Sequence, residues 1–143
     1  MLQVSQEAEK DRGEKGMNLT ELNEHYKLIC DLHNAECMLD NLCSLAKNGA
    51  ASVSGSAPAL ELSDEIDDMK SRIKYYNEIR AHNEPGIREC IAGIASDQTR
   101  LICKLRFLRG LTWNEVAGVI GGGNTADGVR MICGRQLKDH KKA

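Results

Sequence analysis

The sequence predicts an all-α protein with an N-terminal long helical hairpin or coiled-coil arm and a small C-terminal helical domain. Three observations carry this. Apolar residues recur at steps of three and four through most of the chain, the period of helices with one buried side. Alternating β-branched runs are few, and only two prolines interrupt 143 residues. Aromatic side chains make up 3% of the chain, so aliphatic contacts between helices must supply the core. A chain of this length holds one compact domain, or a small domain plus a helical arm.

Residues 1–17 are charged and aperiodic, and read as a flexible leader. Met17 can equally serve as the start. Residues 18–84 form the expected arm. Asn18 and Glu21 make a reciprocal cap for a helix from about Leu19 to Lys47. Its stripe is Leu22, Tyr26, Ile29, Leu32, Ala35, Leu39, Leu42 and Ala46, a heptad-like series with one short step. Such a stripe is either the buried side of a hairpin or an oligomer seam. The small residues NGAASVSGSAP at 48–58 read as a linker, within a loop 48–62. Ser63 then caps a second helix, with Asp64, Glu65, Asp67 and Asp68 as partners of its dipole rather than a metal cluster or a DNA-mimicking face. Ile66, Met69, Ile73, Tyr76 and Ile79 form its stripe, and the helix is expected to end near Glu84, ahead of Pro85. Pro85 suits the first turn of a short connecting helix, with Ile87, Cys90, Ile91 and Ile94 inward.

Residues 85–143 form the expected C-terminal domain. A helix from about Asp97 to Arg109 carries Leu101, Leu105 and Leu108, widened by Ile102 and Phe107. Gly110 stands where a left-handed cap is wanted. TWNE, Thr112 to Glu115, is a capping box for a short helix burying Val116, Ala117 and Ile120. Gly121–Gly123 end it. Asn124 or Thr125 caps a third helix, with Val129, Ile132, Cys133 and Leu137 inward and Arg130, Arg135 and Lys138 outward. A short helix, a glycine turn and a longer basic helix make a helix-turn-helix, whose second helix can enter the DNA major groove.

Charge agrees. The net charge is −2, yet from Gln98 onward nine Lys/Arg face three acids, leaving +6 there and −8 before it. Such asymmetry fits a basic nucleic-acid surface joined to an acidic assembly region. Phosphate contacts are expected from Arg106, Arg109 and Lys138, and from backbone N–H groups at Thr112–Asn114 and Asn124–Thr125, with Arg135 also counted among the DNA-binding residues. Base-edge contacts are expected from Thr125, Asp127, Arg130 and Met131, with Arg130 able to fork onto a guanine.

The run LRFLRGLTWNEVA, followed by Val129, Arg130 and Arg135, resembles the region-4 helix-turn-helix of sigma-70-type factors. It is similar, more closely still, to the small phage proteins that reuse that motif, the RinA-type late-gene transcriptional activators. Leu105, Arg106, Gly110, Thr112, Trp113, Glu115, Val116, Ala117 and Gly121 carry the likeness with those three. GGGNTADGV is longer than the usual turn into the reading helix. The resemblance covers under a third of the chain. It implies a phage or prophage transcription regulator that binds double-stranded DNA in a bacterial host cell, where a cytoplasmic location is the default; the heptad-like stripes of the arm lead us to expect a homodimer.

Two rivals remain: an interaction protein or inhibitor that docks on host RNA polymerase or a host defence nuclease, and a DNA-packaging protein like a small terminase. No enzyme is expected. GGGNT lacks the Lys-Ser/Thr of a P-loop, and neither G-x-S-x-G nor H-E-x-x-H occurs. The histidines, His25, His33, His82 and His140, lie in different segments and are taken as mostly solvated. Trp113 is taken as a packing residue rather than a base-stacking one. The six cysteines include no C-x-x-C pair and read as free thiols. Cys30, His33 and Cys37 share a helical face and could begin a zinc site, but no fourth ligand presents itself. No cofactor or metal is expected. No apolar run is long enough to cross a membrane.

Overall fold

In a computed structural model the protein is all-helical, described over residues 18–52 and 57–142, with side chains described over 18–48 and 62–137. The expected leader, the middle of the expected linker and the side chain of Lys138 lie outside these residues. The helices are α1 (Leu19–Ser52), α2 (Ala57–Ala92), α3 (Asp97–Cys103), α4 (Trp113–Ile120) and α5 (Ala126–Lys142), with a π turn, Lys104–Leu108, continuing α3.

α1 begins where the local chemistry directs. Asn18 Oδ1 accepts from the Glu21 N–H at 2.8 Å, and Glu21 Oε1 accepts from the Asn18 N–H at 3.1 Å. Two N–H groups with no partner inside the helix are thereby satisfied. Beyond this start, the long helices depart from expectation. α1 continues past Lys47 to Ser52, and α2 starts at Ala57. Alanines at 50, 51, 57 and 59 are the strongest helix formers, so small-residue composition here means helix rather than loop. Ser63 is therefore inside α2 and caps nothing, and Asp64, Glu65, Asp67 and Asp68 are exposed beyond the first turn, where the dipole fades.

Pro85 does not end α2 either; the helix runs through it to Ala92. The proline forfeits the hydrogen bond to the Ala81 carbonyl and costs roughly 3 kcal/mol in a helix interior. Just beyond it, Ile87, Cys90, Ile91 and Ile94 are all buried. Each large apolar side chain buried returns about 1.5–3 kcal/mol, which outweighs the local penalty.

The chain divides into two compact units. One holds the described residues up to Lys27 together with His82 onward, and the other holds Leu28–Ala81. The first unit thus takes the opening turns of α1 as well as the C-terminal helices, rather than beginning at residue 85. Its core joins Leu22 to Ile87, Ile91, Ile94, Ile102, Phe107, Val116, Val129, Cys133 and Leu137. His25 is buried in this unit at 2% exposure, with Nδ1 3.4 Å from Asn83 Nδ2, which corrects its reading as a solvated histidine. In the second unit Ile29, Leu32 and Ala35 are buried, while Leu39, Leu42, Ile66, Met69, Ile73, Tyr76 and Ile79 are only half-buried. Met38, Leu45 and Tyr75 are exposed.

α3 to α5 pack on one another, most extensively α4 against α5. Ser96 caps α3 by accepting from the Thr99 N–H, and Arg100 ties that start down through Asp97 and the Ile94 carbonyl. The expected stripe through Leu101 fails, since Leu101 is 43% exposed. Instead Ile102 and Cys103 are buried, then Phe107 and Leu108. Five-residue spacing does not stay on one face of an α-helix. The wider π turn restores it, and the Arg109 N–H reaches the Lys104 carbonyl at 3.1 Å. Gly110 follows at φ 77°.

The Thr112–Glu115 capping box forms with both of its hydrogen bonds. Gly121, Gly122 and Gly123 then take φ of 69°, 65° and 81° in succession, a path closed to ordinary L-residues. Asn124 fastens this turn by donating to the Gly121 carbonyl at 2.7 Å, and the cap of α5 is Thr125, whose hydroxyl accepts from the Gly128 N–H at 3.0 Å.

Two glycine substitutions should move stability in opposite directions. Gly122→Ala places a Cβ in the left-handed region and should cost about 1–2 kcal/mol. A Cβ at Gly118, inside α4, meets nothing within 4 Å, so Gly118→Ala should gain about 0.5–1 kcal/mol. Urea denaturation of both variants checks the pair, and equal signs would contradict the turn geometry.

Candidate functional site

Four of the expected site residues, Arg106, Arg130, Met131 and Arg135, meet at an open cleft of about 640 Å³ in the first unit. Arg130, Met131, Cys133, Gly134 and Arg135 of α5 line it, with Arg106 and Trp113. Leu19, Asn23 and Tyr26 from the start of α1 complete its wall. Three guanidinium groups and no carboxylate border it, so the cleft is electropositive.

Arg106 owes its place to packing. Its guanidinium carbon lies 3.3 Å from the Tyr26 ring centroid and 4.3 Å from that of Trp113, and Nη1 donates to the Leu111 carbonyl at 3.2 Å. The negative faces of the two rings attract the cation, a contact worth about 0.5–2 kcal/mol each as water is excluded. Trp113 meets Phe107 edge-on, with centroids 6.5 Å apart and planes at 88°. This is the packing role expected of Trp113. For Arg106 it is a change of role, from a surface phosphate contact to a half-buried post between α1, the π turn and α4.

The remaining expected residues fall into two groups. Arg130, Met131 and Arg135 are exposed and border the cleft. Arg130 Nη2 is 3.5 Å from Asp127 Oδ1, an exposed i,i+3 pair of small energetic weight that leaves Arg130 able to meet another acceptor. Arg109, Thr112, Asn114, Asn124, Thr125 and Asp127 do not line the cleft. Thr112, Asn124 and Thr125 have polar atoms engaged in caps and the glycine turn. Arg109 and Asn114 are exposed. Sequence reasoning missed Leu19, Asn23 and Tyr26 because nothing local says which unit the start of α1 joins. Gly134 offered a signal, a glycine inside a helix, where a Cβ would meet nothing within 4 Å.

The chain matches no family model, no curated protein and no solved structure.

The other clusters weighed in the sequence have plain geometry. His33 Nε2 lies 3.7 Å from Cys37 Sγ at an exposed site, and Cys30 is half-buried. Among the described residues no three His, Cys, Asp or Glu side chains are grouped to hold a metal. Among them too, no helix is long and apolar enough to cross a membrane. Cys103 and Cys133 are buried with their sulfurs 3.3 Å apart.

The arginine stack can be measured directly. Arg106→Met keeps an apolar stem but loses the charge, and Trp113→Leu removes one ring. A double-mutant cycle in urea should give a coupling of about 1 kcal/mol between them. Purely additive losses would mean that the cation over the ring contributes nothing.

Proposed function

We propose that the protein is a sequence-specific DNA-binding regulator of the phage transcription type, in which α4 and α5 act as a helix-turn-helix and α5 reads the major groove. One observation carries the reading. α5 turns Val129, Cys133 and Leu137 into the core and leaves Arg130, Met131 and Arg135 outward, on a helix begun by a fixed glycine turn and packed on α3 and α4. Groove reading needs such a face, rigid from behind and basic in front. Arg130, one turn into the helix, is the base-reading candidate, while Arg109 and Arg135 serve phosphates, with the N–H groups that open α4 and α5. Arg106 supports this face from within rather than touching DNA. The resemblance to RinA-type activators and sigma-70 region 4 points the same way.

Exposed apolar residues favour a second reading. Leu101, Val119 and Met131 are 43%, 57% and 54% exposed, and side chains of this kind serve docking on a host protein such as RNA polymerase.

Footprinting on the genome that encodes the protein tests the DNA reading. Arg130→Ala should relax preference at one base position by roughly 1–3 kcal/mol, whereas Arg135→Ala should weaken all sequences alike and lower the salt slope by about 1. Absence of any protected site, with a stable complex on host RNA polymerase, would transfer the face to the second reading.

The second unit fits a homodimer seam. Its stripes from Leu39 to Leu42 and Ile66 to Ile79 stay half-buried, beside exposed Met38, Leu45 and Tyr75. Pairing two reading helices raises affinity by making the second contact intramolecular. Light scattering on the full chain should give a dimer, and Met38→Lys with Leu45→Lys should give a monomer of weaker DNA affinity. A monomeric wild-type chain would sink the dimer.

A further inference from the structure

The DNA reading makes no use of the two thiols at the centre of the first unit. Cys103 at the end of α3 and Cys133 on α5 are both buried, and their Sγ atoms stand 3.3 Å apart. A disulfide needs about 2.05 Å, so small side-chain rotations on two packed helices close the gap. Cys133 belongs to the wall of the 640 Å³ cleft, beside Gly134 and in company with Arg106. Cys133 is only 1% exposed, so an oxidant must be small enough to reach its sulfur through the cleft wall.

The two thiols are not equivalent. The hydrogen bond with Cys103 holds the Cys133 thiol below its ordinary range, against the opposing effect of burial, and the Arg106 guanidinium adds to the lowering. Cys103 is pushed up by its hydrogen bond with Cys133, by burial and by the neighbouring charges of Cys133 and Cys90. Cys133 is also the thiol that lines the cleft together with Arg106, whereas Cys103 lies behind it. Nucleophilic thiols are those whose charge is stabilised by a nearby cation and that a reagent can approach.

We propose that Cys133 and Cys103 are a site of reversible oxidation by small hydroperoxides, with Cys133 the attacking thiol on the cleft side and Cys103 the resolving thiol behind it. The Cys133 thiolate attacks one oxygen of hydrogen peroxide. An S–O bond forms as the O–O bond breaks, and the departing hydroxide takes up the proton that Cys133 released, giving water and a sulfenic acid. The Cys103 sulfur then attacks the Cys133 sulfur. The S–S bond forms, the S–O bond breaks, and the hydroxyl leaves with the Cys103 proton as a second water. Two thiols lose two electrons and two protons while one peroxide is reduced to two waters. A dithiol such as dithiothreitol reverses the bond by exchange. The product ties α3 to α5 covalently. None of this chemistry depends on whether α5 meets DNA.

The test uses the full chain, folded, treated with hydrogen peroxide, then blocked with an alkylating reagent in denaturant and mapped without reduction. The expected product is a Cys103–Cys133 linked peptide that has lost two hydrogen masses and disappears on adding dithiothreitol. In Cys103→Ala the sulfenic acid should persist at Cys133 and be captured by dimedone. In Cys133→Ala, Cys103 should remain a thiol. Exposed Cys37 and Cys43 provide an internal scale of simple accessibility. If both are fully oxidised while Cys103 and Cys133 still alkylate as thiols, the proposal fails. It fails equally if Cys103 links to Cys90 instead. The wild-type map alone decides between these outcomes, even where a core substitution unsettles the fold.

Discussion

Burial of Leu22 in one core with Ile87, Ile91, Ile102 and Phe107 is the constraint on which the first unit depends. Leu22 belongs to the opening turns of α1, and its partners stand sixty and more residues away in sequence. With one Phe and one Trp in the whole chain, the C-terminal helices have little apolar volume of their own. A fully buried leucine contributes about 1.5–3 kcal/mol, a large fraction of the marginal stability of a small domain. The unit therefore closes by recruiting the start of α1 and the end of α2, and Leu28–Ala81 stands in sequence between these two contributions.

The same recruitment sets the electrostatics. Tyr26 arrives with Leu22, one turn further along α1, and supplies one of the two rings that hold Arg106. An arginine at that position on an isolated helix would extend into water. Here it is drawn inward by two aromatic faces and a backbone carbonyl, where its charge acts on Cys133 and on the mouth of the cleft. A packing event near residue 22 thus helps place a cation beside a thiol at residue 133. The physical link is a cation whose planar head can stack, which a lysine ammonium does much less well.

What was legible in the sequence was local. The Asn18–Glu21 cap, the Thr112–Glu115 box, the turn at Gly110 and the Gly121–Gly123 path all form within a few residues, so their signals are complete in the sequence. The inward series Val129, Cys133 and Leu137 was readable for the same reason. What was not legible depended on distant partners. Pro85 and Ser63 carry clear local signals, but Ile87, Cys90, Ile91 and Ile94 find a core and hold the helix through the proline. The π turn arises because buried residues at 102 and 103 must align with 107 and 108, a demand made by the core and invisible in helical periodicity. Of the candidate site, Arg130, Met131 and Arg135 were placed on the right side of α5, whereas the α1 wall and the inward turn of Arg106 needed the tertiary structure.

α5 is asked to do two things at once, and its geometry reconciles them. Its inner face runs Val129, Cys133, Leu137 at steps of four, so Cys133 is the middle anchor of the helix on the core. Its outer face carries Arg130 and Arg135 on the turns either side of that anchor. A shift of Cys133 relative to α3 would move both arginines together, because the helix between them is rigid. A covalent link at Cys133 would instead pin that turn of the helix to α3, leaving the ends freer than the middle. A pair of thiols thus shares with Val129 and Leu137 the task of seating the basic face on the core. Its strength is something that chemistry, without mutation, can change.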